Sequence, residues 1–135
     1  MQIFTFGSNL AGRHGKGAAL DAKNNWGAIY GVGEGLQGQS YAIPTKSLTL
    51  QPLSIDEIVY HIIVFLRFAD DNPQFEFMMT RIGCGLAGYA DRQIAPLFES
   101  APDNMIFPPE WKSFLGESKK YHTGTISNAE KSYCV

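Results

Sequence analysis

Two glycine-rich stretches contain the residues of this sequence that are best placed to do chemistry. The first is "GRHGKG" at residues 12–17, and the second is "GCGLAG" at residues 83–88. Glycines leave backbone N–H groups unshielded, consecutive N–H groups attract anions, and the N-terminus of a following helix adds its positive dipole. Together the two loops predict a site that grips a diphosphate group from two sides. The pattern ending in Gly-Lys-Ser/Thr and the Rossmann spacing are both absent, so neither common phosphate motif applies.

The side chains in these loops have a functional and a simpler interpretation. Arg13 and Lys16 are suited to pair with phosphate, although such charges are more often only solvated. His14 either donates to phosphate or caps a turn. It has no Cys or His partner at metal-ligand spacing, so we expect neither a metal nor a cofactor. Cys84 would need a nearby base to act as a nucleophile, and a packed loop residue is its more common role. Most glycines in proteins simply form turns.

Both loops follow predicted strands. "QIFTFG" predicts a buried strand over Gln2–Phe6, and "FEFMMTRIG" at residues 75–83 predicts a central strand. Residues 17–25 predict a helix after the first loop. Residues 91–100 predict a short helix after the second, with Pro96 in its first turn or bending it. Ligands in open α/β sheets bind beyond the carboxyl ends of the strands, so the two loops are expected to share one site.

The best-marked element is a helix over residues 54–69. Ser54 and Glu57 have the spacing of a capping box, and apolar residues then recur at helical intervals. The other segments are assigned from composition. They are a strand at 40–46 ("SYAIPTK") with Pro44 at its end, a loop at 27–39 with five glycines, and a last strand at 104–108 ("NMIFP").

Alternating strands and helices predict one layered α/β domain. The chain has 135 residues, the size of a single domain, and 44% of them are hydrophobic, which is enough for a core. We expect residues 1–115 to form the domain. Residues 116–135 are polar and aperiodic, and they predict a loosely held tail.

Charge and cysteine content narrow the functional classes. The net charge is −2, which argues against an obligate nucleic-acid-binding protein because such proteins present a basic face. No apolar run reaches the length of a membrane span, and the N-terminus does not resemble a signal peptide. The two cysteines, Cys84 and Cys134, are too few for a disulfide framework. We expect a reduced, cytoplasmic protein without membrane partners.

Three segments carry a resemblance to a known family. "MMTRIGCGLAGY" at 78–89 closely resembles a motif of macro domains, the ADP-ribose-binding α/β modules. It is most similar to the branch that removes ADP-ribose from glutamate. "HGKGAA" at 14–19 resembles the family's turn into its first helix, and "SYAIPTK" resembles that branch's Tyr-x-x-x-Thr-Lys strand end. The resemblance covers about residues 2–107, and it extends to short proteins of bacteria and their phages.

The resemblance implies a fold and a set of site residues. The fold would be a three-layer α/β/α macro-domain-like arrangement with a mixed sheet and ADP-ribose across its top. Asn9 would position the distal ribose, and Lys46 falls on the lysine that attacks the ribose carbon in the glutamate branch. The remaining implied contacts belong to the two loops. To them we add His14 as a phosphate donor, so the predicted ligand-binding residues are His14, Gly15, Gly17, Ala18, Gly83, Cys84, Gly85 and Leu86.

Two departures from the family pattern bear on function. Ala87 stands where the glutamate branch has its catalytic Asp, and the next carboxylate is Asp91. The family's first-strand Gly-Asp pair, whose Asp holds adenine, has no equivalent here. The resemblance therefore implies binding of ADP-ribose or a related nucleotide diphosphate, with hydrolysis of an ADP-ribose linkage as a further activity. The alternatives are an inactive module that binds an ADP-ribose signal or an ADP-ribosylated protein, and a phosphatase acting on ADP-ribose phosphate.

Overall fold

A six-stranded mixed sheet forms the centre of the protein. The computed structural model describes residues 1–123. The strand order across the sheet is β2-β3-β1-β4-β5-β6, and every neighbouring pair is parallel except β2 with β3. The strands are β1 (Gln2–Asn9), β2 (Gly35–Gln37), β3 (Ser40–Lys46), β4 (Glu76–Met79), β5 (Met105–Phe107) and β6 (Lys120–Tyr121).

Within the described residues, four α-helices connect the strands. They are α1 (Gly17–Asn25), α2 (Ile55–Asp71), α3 (Asp91–Ile94) and α4 (Lys112–Leu115). α3 runs directly into a 3₁₀ turn, Ala95–Phe98, and Pro96 lies in the first turn of that second element. The sequence expectation of an α/β domain with a mixed sheet is confirmed. The finer expectation of a macro-domain-like, three-layer arrangement stays a prediction.

The alternation of side chains along the strands divides the core into two clusters. Ile3 of β1 packs with the apolar face of α2, whereas its neighbour Phe4 packs with α1. Successive residues of a strand point to opposite faces, so both faces of β1 are buried. The cluster against α1 is lined by alanines, Ala18 and Ala22 among them, which lets this helix lie close to the sheet.

Helix α2 begins as its sequence predicts. Ser54 Oγ accepts a hydrogen bond from the Glu57 backbone N–H, and the Glu57 carboxylate accepts one from the Ser54 backbone N–H. These reciprocal bonds satisfy two donors that a helix start otherwise leaves open. The Ser54 backbone N–H and the Ser54 hydroxyl both donate to the Glu57 carboxylate, which lowers its pKa below its ordinary value. The buried stripe consists of Ile58, Ile62, Phe65 and Ala69.

Several predicted boundaries differ from the observed ones. β1 continues three residues past the predicted end at Phe6, because Gly7, Ser8 and Asn9 still pair with β3. Pro44 lies inside β3, where it is paired beside a register shift between Ser8 and Asn9. β4 is shorter than predicted, and it ends at Met79. The 27–39 segment, predicted as a loop, contains the short edge strand β2, whose three residues are too few for a sequence pattern.

The predicted tail was wrong for the residues that the structure describes. Lys120 and Tyr121 form β6 and extend the sheet beyond β5, so "NMIFP" is not the last strand. His122 is buried, and its Nε2 lies 3.0 Å from the Met79 carbonyl oxygen. The sheet therefore continues past the predicted boundary at residue 115. Residues 124–135 of the predicted tail lie outside the described residues.

Within residues 1–123, no helix has both the length and the apolar character needed to cross a membrane. The expectation of a cytoplasmic location stays a prediction.

The position of β6 predicts the outcome of two truncations. A chain ending at residue 115 loses β6, the ring contact between Phe107 and Tyr121, and the buried His122. We expect its free energy of unfolding in urea to be lower than that of a chain ending at residue 123 by at least about 2 kcal/mol, the contribution of one well-buried side chain. Equal unfolding midpoints for the two truncated proteins would contradict a structural role for β6.

Candidate functional site

A cavity of about 330 Å³ lies where β1 and β3 end. Asn9 is the last residue of β1, Lys46 is the last residue of β3, and the Leu10 backbone N–H donates to the Lys46 carbonyl oxygen at 2.9 Å. The loop that follows β4 contributes one wall. The lining residues are Gly7, Ser8, Asn9, Arg13, Gly15, Lys16, Ala19, Tyr30, Thr45, Lys46, Leu50, Leu86 and Ala87.

The first glycine loop is held in shape by Asn9. Its Nδ2 donates to the Arg13 carbonyl oxygen at 3.0 Å, and its Oδ1 accepts from the Arg13 backbone N–H at 2.9 Å. Asn9 is buried, and this pair of bonds closes a tight turn from the end of β1. One N–H and one lone pair of the amide remain for a ligand.

Gly12 allows a second stretch of backbone to cross the first loop. Its φ is +69°, and a Cβ atom there would lie 2.3 Å from the carbonyl carbon of Gly31. The Gly31 N–H donates to the Gly12 carbonyl oxygen at 2.8 Å across the same crossing. Gly33 has a similar role, because its Cβ would lie 2.4 Å from the Asn9 carbonyl oxygen. These glycines serve close backbone packing rather than ligand contact.

His14 lies beneath the loop and does not line the cavity. Its ring is fully buried with its edge against Phe6, and its Nε2 is 3.0 Å from the Val32 carbonyl oxygen. The Gln37 side chain bonds to the same Val32 oxygen and to the Ile29 N–H. The predicted phosphate-donor role of the His14 side chain is therefore wrong. It fastens the 28–37 segment to the first loop.

Three cationic side chains surround the cavity without a counter-ion. Arg13, Lys16 and Lys46 all line it, and within residues 1–123 none of the three forms a salt bridge or a side-chain hydrogen bond. Burial, together with the charge of Lys16, lowers the pKa of Lys46 below its ordinary value. The described lining residues include no Asp, Glu, His or Cys. The cavity is therefore electropositive, and an anion is the complementary ligand.

The N-terminus of α1 opens near the same cations. Lys16 is its N-cap residue, and no side chain caps the helix start. The first turn also contains no acidic residue. Ala19 of this turn lines the cavity, so unsatisfied N–H groups and the positive end of the dipole add to the charge of the three cations. Gly17 begins the helix, and Ala18 is fully buried against the sheet. Neither residue lines the cavity.

Of the four residues predicted from the second glycine loop, Leu86 alone lines the cavity. Leu86 and Ala87 line it, whereas Gly83, Cys84 and Gly85 do not. Gly83 has a φ of +79° and packs against Ile94, where a Cβ would be 3.3 Å from that side chain. Cys84 packs on the core, and its Sγ is 3.5 Å from the Ile82 carbonyl oxygen. These three residues therefore lie outside the cavity lining, and the predicted contact of their backbone with a ligand stays a prediction.

Asp91 anchors the second loop instead of serving the cavity. Its two carboxylate oxygens accept from Arg81 Nε at 3.1 Å and Arg81 Nη2 at 2.6 Å, and Trp111 Nε1 donates to one of them at 2.8 Å. Burial acts to raise the pKa of Asp91, but hydrogen bonds from Arg81, Trp111 and Cys84, with the Arg81 charge, lower it on balance. A carboxylate held in this way is not free to act on a ligand.

Of the tyrosines Tyr30, Tyr41 and Tyr89, Tyr30 alone lines the cavity. It is 58% exposed, and Lys23 Nζ lies 5.8 Å from the centroid of its ring. Tyr41 is buried against Phe65, and burial and the nearby Glu34 carboxylate raise its pKa to about 12. The Tyr89 hydroxyl donates to the Leu53 carbonyl oxygen.

The structure thus brings four of the ten predicted site residues to one cavity: Asn9, Gly15, Lys46 and Leu86. Arg13 and Lys16, whose simpler interpretation was solvation, prove to be lining residues. The sequence analysis did not identify three lining residues, Ser8, Thr45 and Leu50. Two of them, Ser8 and Thr45, lie near predicted strand ends. Among the described residues, no three His, Cys, Asp or Glu side chains are grouped as metal ligands.

Comparisons of the chain with protein-family profiles, with curated proteins and with solved structures find no match.

The two kinds of glycine in the first loop predict contrasting effects of the same substitution. Gly12→Ala places a Cβ into the Gly31 backbone at a positive φ, so we expect it to lower the free energy of unfolding by about 2 kcal/mol or more. Gly15 has no atom within 4 Å of the added Cβ and no positive φ. Gly15→Ala should therefore unfold at nearly the wild-type urea concentration, and equal losses in both variants would refute the assignment.

The anchoring of Asp91 predicts how stability depends on pH. The pKa is lower in the folded protein than its ordinary value of 3.8, so the stabilisation is fully present above that value. It is lost as the pH falls below 3.8 and through the folded-state pKa. Asp91→Asn should be less stable at pH 7 and should lose less stability on acidification. Denaturant titrations between pH 7 and pH 2.5 test this, and parallel curves for the two proteins would contradict it.

Proposed function

We propose that this chain binds ADP-ribose or a related nucleotide diphosphate in the cavity at the ends of β1 and β3. The observation that carries the proposal is the convergence of Arg13, Lys16 and Lys46 on the uncapped start of α1, with no counter-ion for any of them in the part of the chain that the structure describes. A diphosphate has the charge to match three cations, and a helix N-terminus is a common phosphate site. The resemblance of three sequence segments to macro domains supports the same ligand class.

The lining residues suggest how such a ligand would lie. Arg13, Lys16 and the N–H groups of α1 would hold the diphosphate, with Gly15 leaving room for close approach. The remaining N–H of the Asn9 amide is available to a ribose hydroxyl, which is the position that the family resemblance also implies. Tyr30 is exposed at the edge of the cavity and offers a ring face to a planar base.

Hydrolysis of an ADP-ribose linkage is a further activity that this cavity could support through Lys46. An amine must be neutral to attack carbon, and burial and Lys16 shift Lys46 in that direction. As a nucleophile, Lys46 would need a neutral Nζ. In a purely electrostatic role, Lys46 would keep its Nζ charged. A phosphatase acting on ADP-ribose phosphate is less well supported, because no other described lining residue offers a nucleophile with an adjacent base.

The second candidate function is binding without catalysis. Ala87 lines the cavity at the position of the glutamate branch's Asp, and Asp91 is held by Arg81 and Trp111. The described lining residues therefore contain no carboxylate or imidazole that could take a proton. A module of this kind would sequester an ADP-ribose signal or recognise an ADP-ribosylated protein.

Calorimetric titration tests the proposed ligand. We expect ADP-ribose to bind with micromolar affinity, about −8 kcal/mol, and AMP to bind much more weakly because it lacks the diphosphate. Lys46→Met should weaken ADP-ribose binding about tenfold or more, as expected for the loss of a charged hydrogen bond. Lys112→Met is the matched control, since Lys112 pairs with Glu117 outside the cavity.

Failure of wild-type protein to bind ADP-ribose at millimolar concentration would refute the proposal.

Product analysis separates binding from catalysis. Release of ADP-ribose from a glutamate-linked peptide that disappears in Lys46→Ala would support the hydrolase. Binding without turnover would support the inactive module.

A further inference from the structure

Leu50 is the one described residue other than glycine whose backbone lies in the left-handed region. Its φ is +66°, and the nine other described residues with a positive φ are all glycines. A side chain in this conformation crowds the following carbonyl oxygen, so a bulky residue there is strained. Strain of this kind persists only where the surrounding structure enforces it, and it is concentrated at functional sites. We therefore expect Leu50 to have a role that glycine could not supply.

A tight hairpin turn after β3 holds Leu50 in this conformation. The Ser47 N–H donates to the Gln51 carbonyl oxygen at 2.7 Å, and the Leu50 N–H donates to the Ser47 carbonyl oxygen at 3.0 Å. The Ser47 hydroxyl oxygen also accepts from the Thr49 and Gln51 backbone N–H groups, each at 3.2 Å. Residues 48–50 thus form a three-residue loop, and glycine is the usual residue at the left-handed position of such a loop.

The hydrophobic core does not account for the leucine. Leu53 belongs to the core cluster against α2, whereas Leu50 belongs to neither core cluster and is not one of the partly buried apolar side chains packed against them. Leu50 is half-buried and lines the cavity. Leu48 of the same loop is 67% exposed and does not line it. The strained residue therefore contributes to the cavity and not to the core.

The hairpin places Leu50 close to Asn9 and Lys46, which the proposed function puts at the ribose beyond the diphosphate. Asn9 of β1 and Lys46 of β3 are partners in the sheet register, and Lys46 forms a bridge with Pro52 on the returning arm of the hairpin. Leu50 lies in the loop between the two arms. A ribose has hydroxyls at its edge and C–H groups across its face, so polar side chains and a leucine suit different parts of one sugar.

We propose that Leu50 is a specificity-determining residue, whose side chain packs on the C–H face of the ribose beyond the diphosphate and so favours ADP-ribose over ADP. ADP lacks that ribose. This inference rests on the proposed function and names the part of the ligand that the cavity distinguishes. An apolar contact of this size discriminates between ligands by about tenfold. Glycine at position 50 would remove the strain and the contact together.

Calorimetric titration of the full 135-residue chain with ADP-ribose and ADP tests this assignment. Leu50→Ala and Leu50→Gly both remove the contact, so each should weaken ADP-ribose binding about tenfold, or about 1.4 kcal/mol, and leave ADP binding unchanged. Leu50→Met keeps an apolar side chain of similar volume and should bind ADP-ribose like the wild type. Leu48→Ala is the matched control, because Leu48 lies in the same loop outside the cavity lining, and it should alter neither affinity.

Urea unfolding of the same variants separates the backbone strain from the ligand contact. Leu50→Gly and Leu50→Ala differ in strain, because glycine adopts a positive φ without steric cost. We expect Leu50→Gly to unfold at a higher urea concentration than Leu50→Ala, although both bind ADP-ribose equally weakly. A purely structural role for Leu50 would instead make the affinity for ADP-ribose follow the stability.

Four outcomes would overturn the inference. Unchanged ADP-ribose binding by Leu50→Ala would refute the contact while the proposed function stands. Equal weakening of ADP and ADP-ribose binding in Leu50→Ala, or wild-type protein that binds both ligands equally, would refute the assignment to the ribose. A Leu50→Gly protein no more stable than Leu50→Ala would refute the strain. No binding of either ligand by the wild type would refute the proposed function as well.

Discussion

The paired hydrogen bonds between the Asn9 side chain and the Arg13 backbone are the interaction on which the site depends. They turn the chain sharply at the end of β1 and fix the first glycine loop relative to the sheet. Because the loop is fixed, Arg13, Gly15 and Lys16 face the same cavity as Lys46 from the neighbouring strand. A flexible loop at this point would let the three cations separate and relieve their mutual repulsion in water. The Asn9 amide therefore has a structural role first, and its spare N–H is what remains for a ligand.

The sequence predicted those helices and strands whose formation depends on residues close together in the chain. Helix α1 was predicted with its observed bounds, and α2 was predicted from its capping box and apolar stripe. The α/β class followed from the alternation of strands and helices. The prediction failed where long-range pairing decides the structure. β2 has three residues and β6 has two, and neither has enough length for a period-two pattern. Both exist because a neighbouring strand offers them hydrogen-bond partners.

The glycines show why the site was only partly predictable. Sequence alone gives no distinction between Gly12, which permits two backbones to cross, and Gly15, which lies open at the cavity. Gly83 likewise has a positive φ and packs against Ile94, and it does not line the cavity. His14 lies among the same glycines in the sequence. Its ring is nevertheless buried, and its hydrogen bonds hold the 28–37 segment against the first loop. In contrast, Asn9 and Lys46 were assigned from the family resemblance, and the structure places them at the ends of adjacent strands, where both line one cavity.

The position of β1 in the sheet has a consequence for the order of folding. Phe4 of β1 pairs with Ser40 on one side and with Met78 on the other. During synthesis β1 therefore leaves the ribosome long before either partner, and its central sheet position cannot form until residues through β4 are available. Pairings this distant in sequence fold slowly and leave apolar strand edges exposed in the meantime. The apolar segment Ile3–Phe6 therefore remains unpaired until its partner strands β3 and β4 have been synthesised.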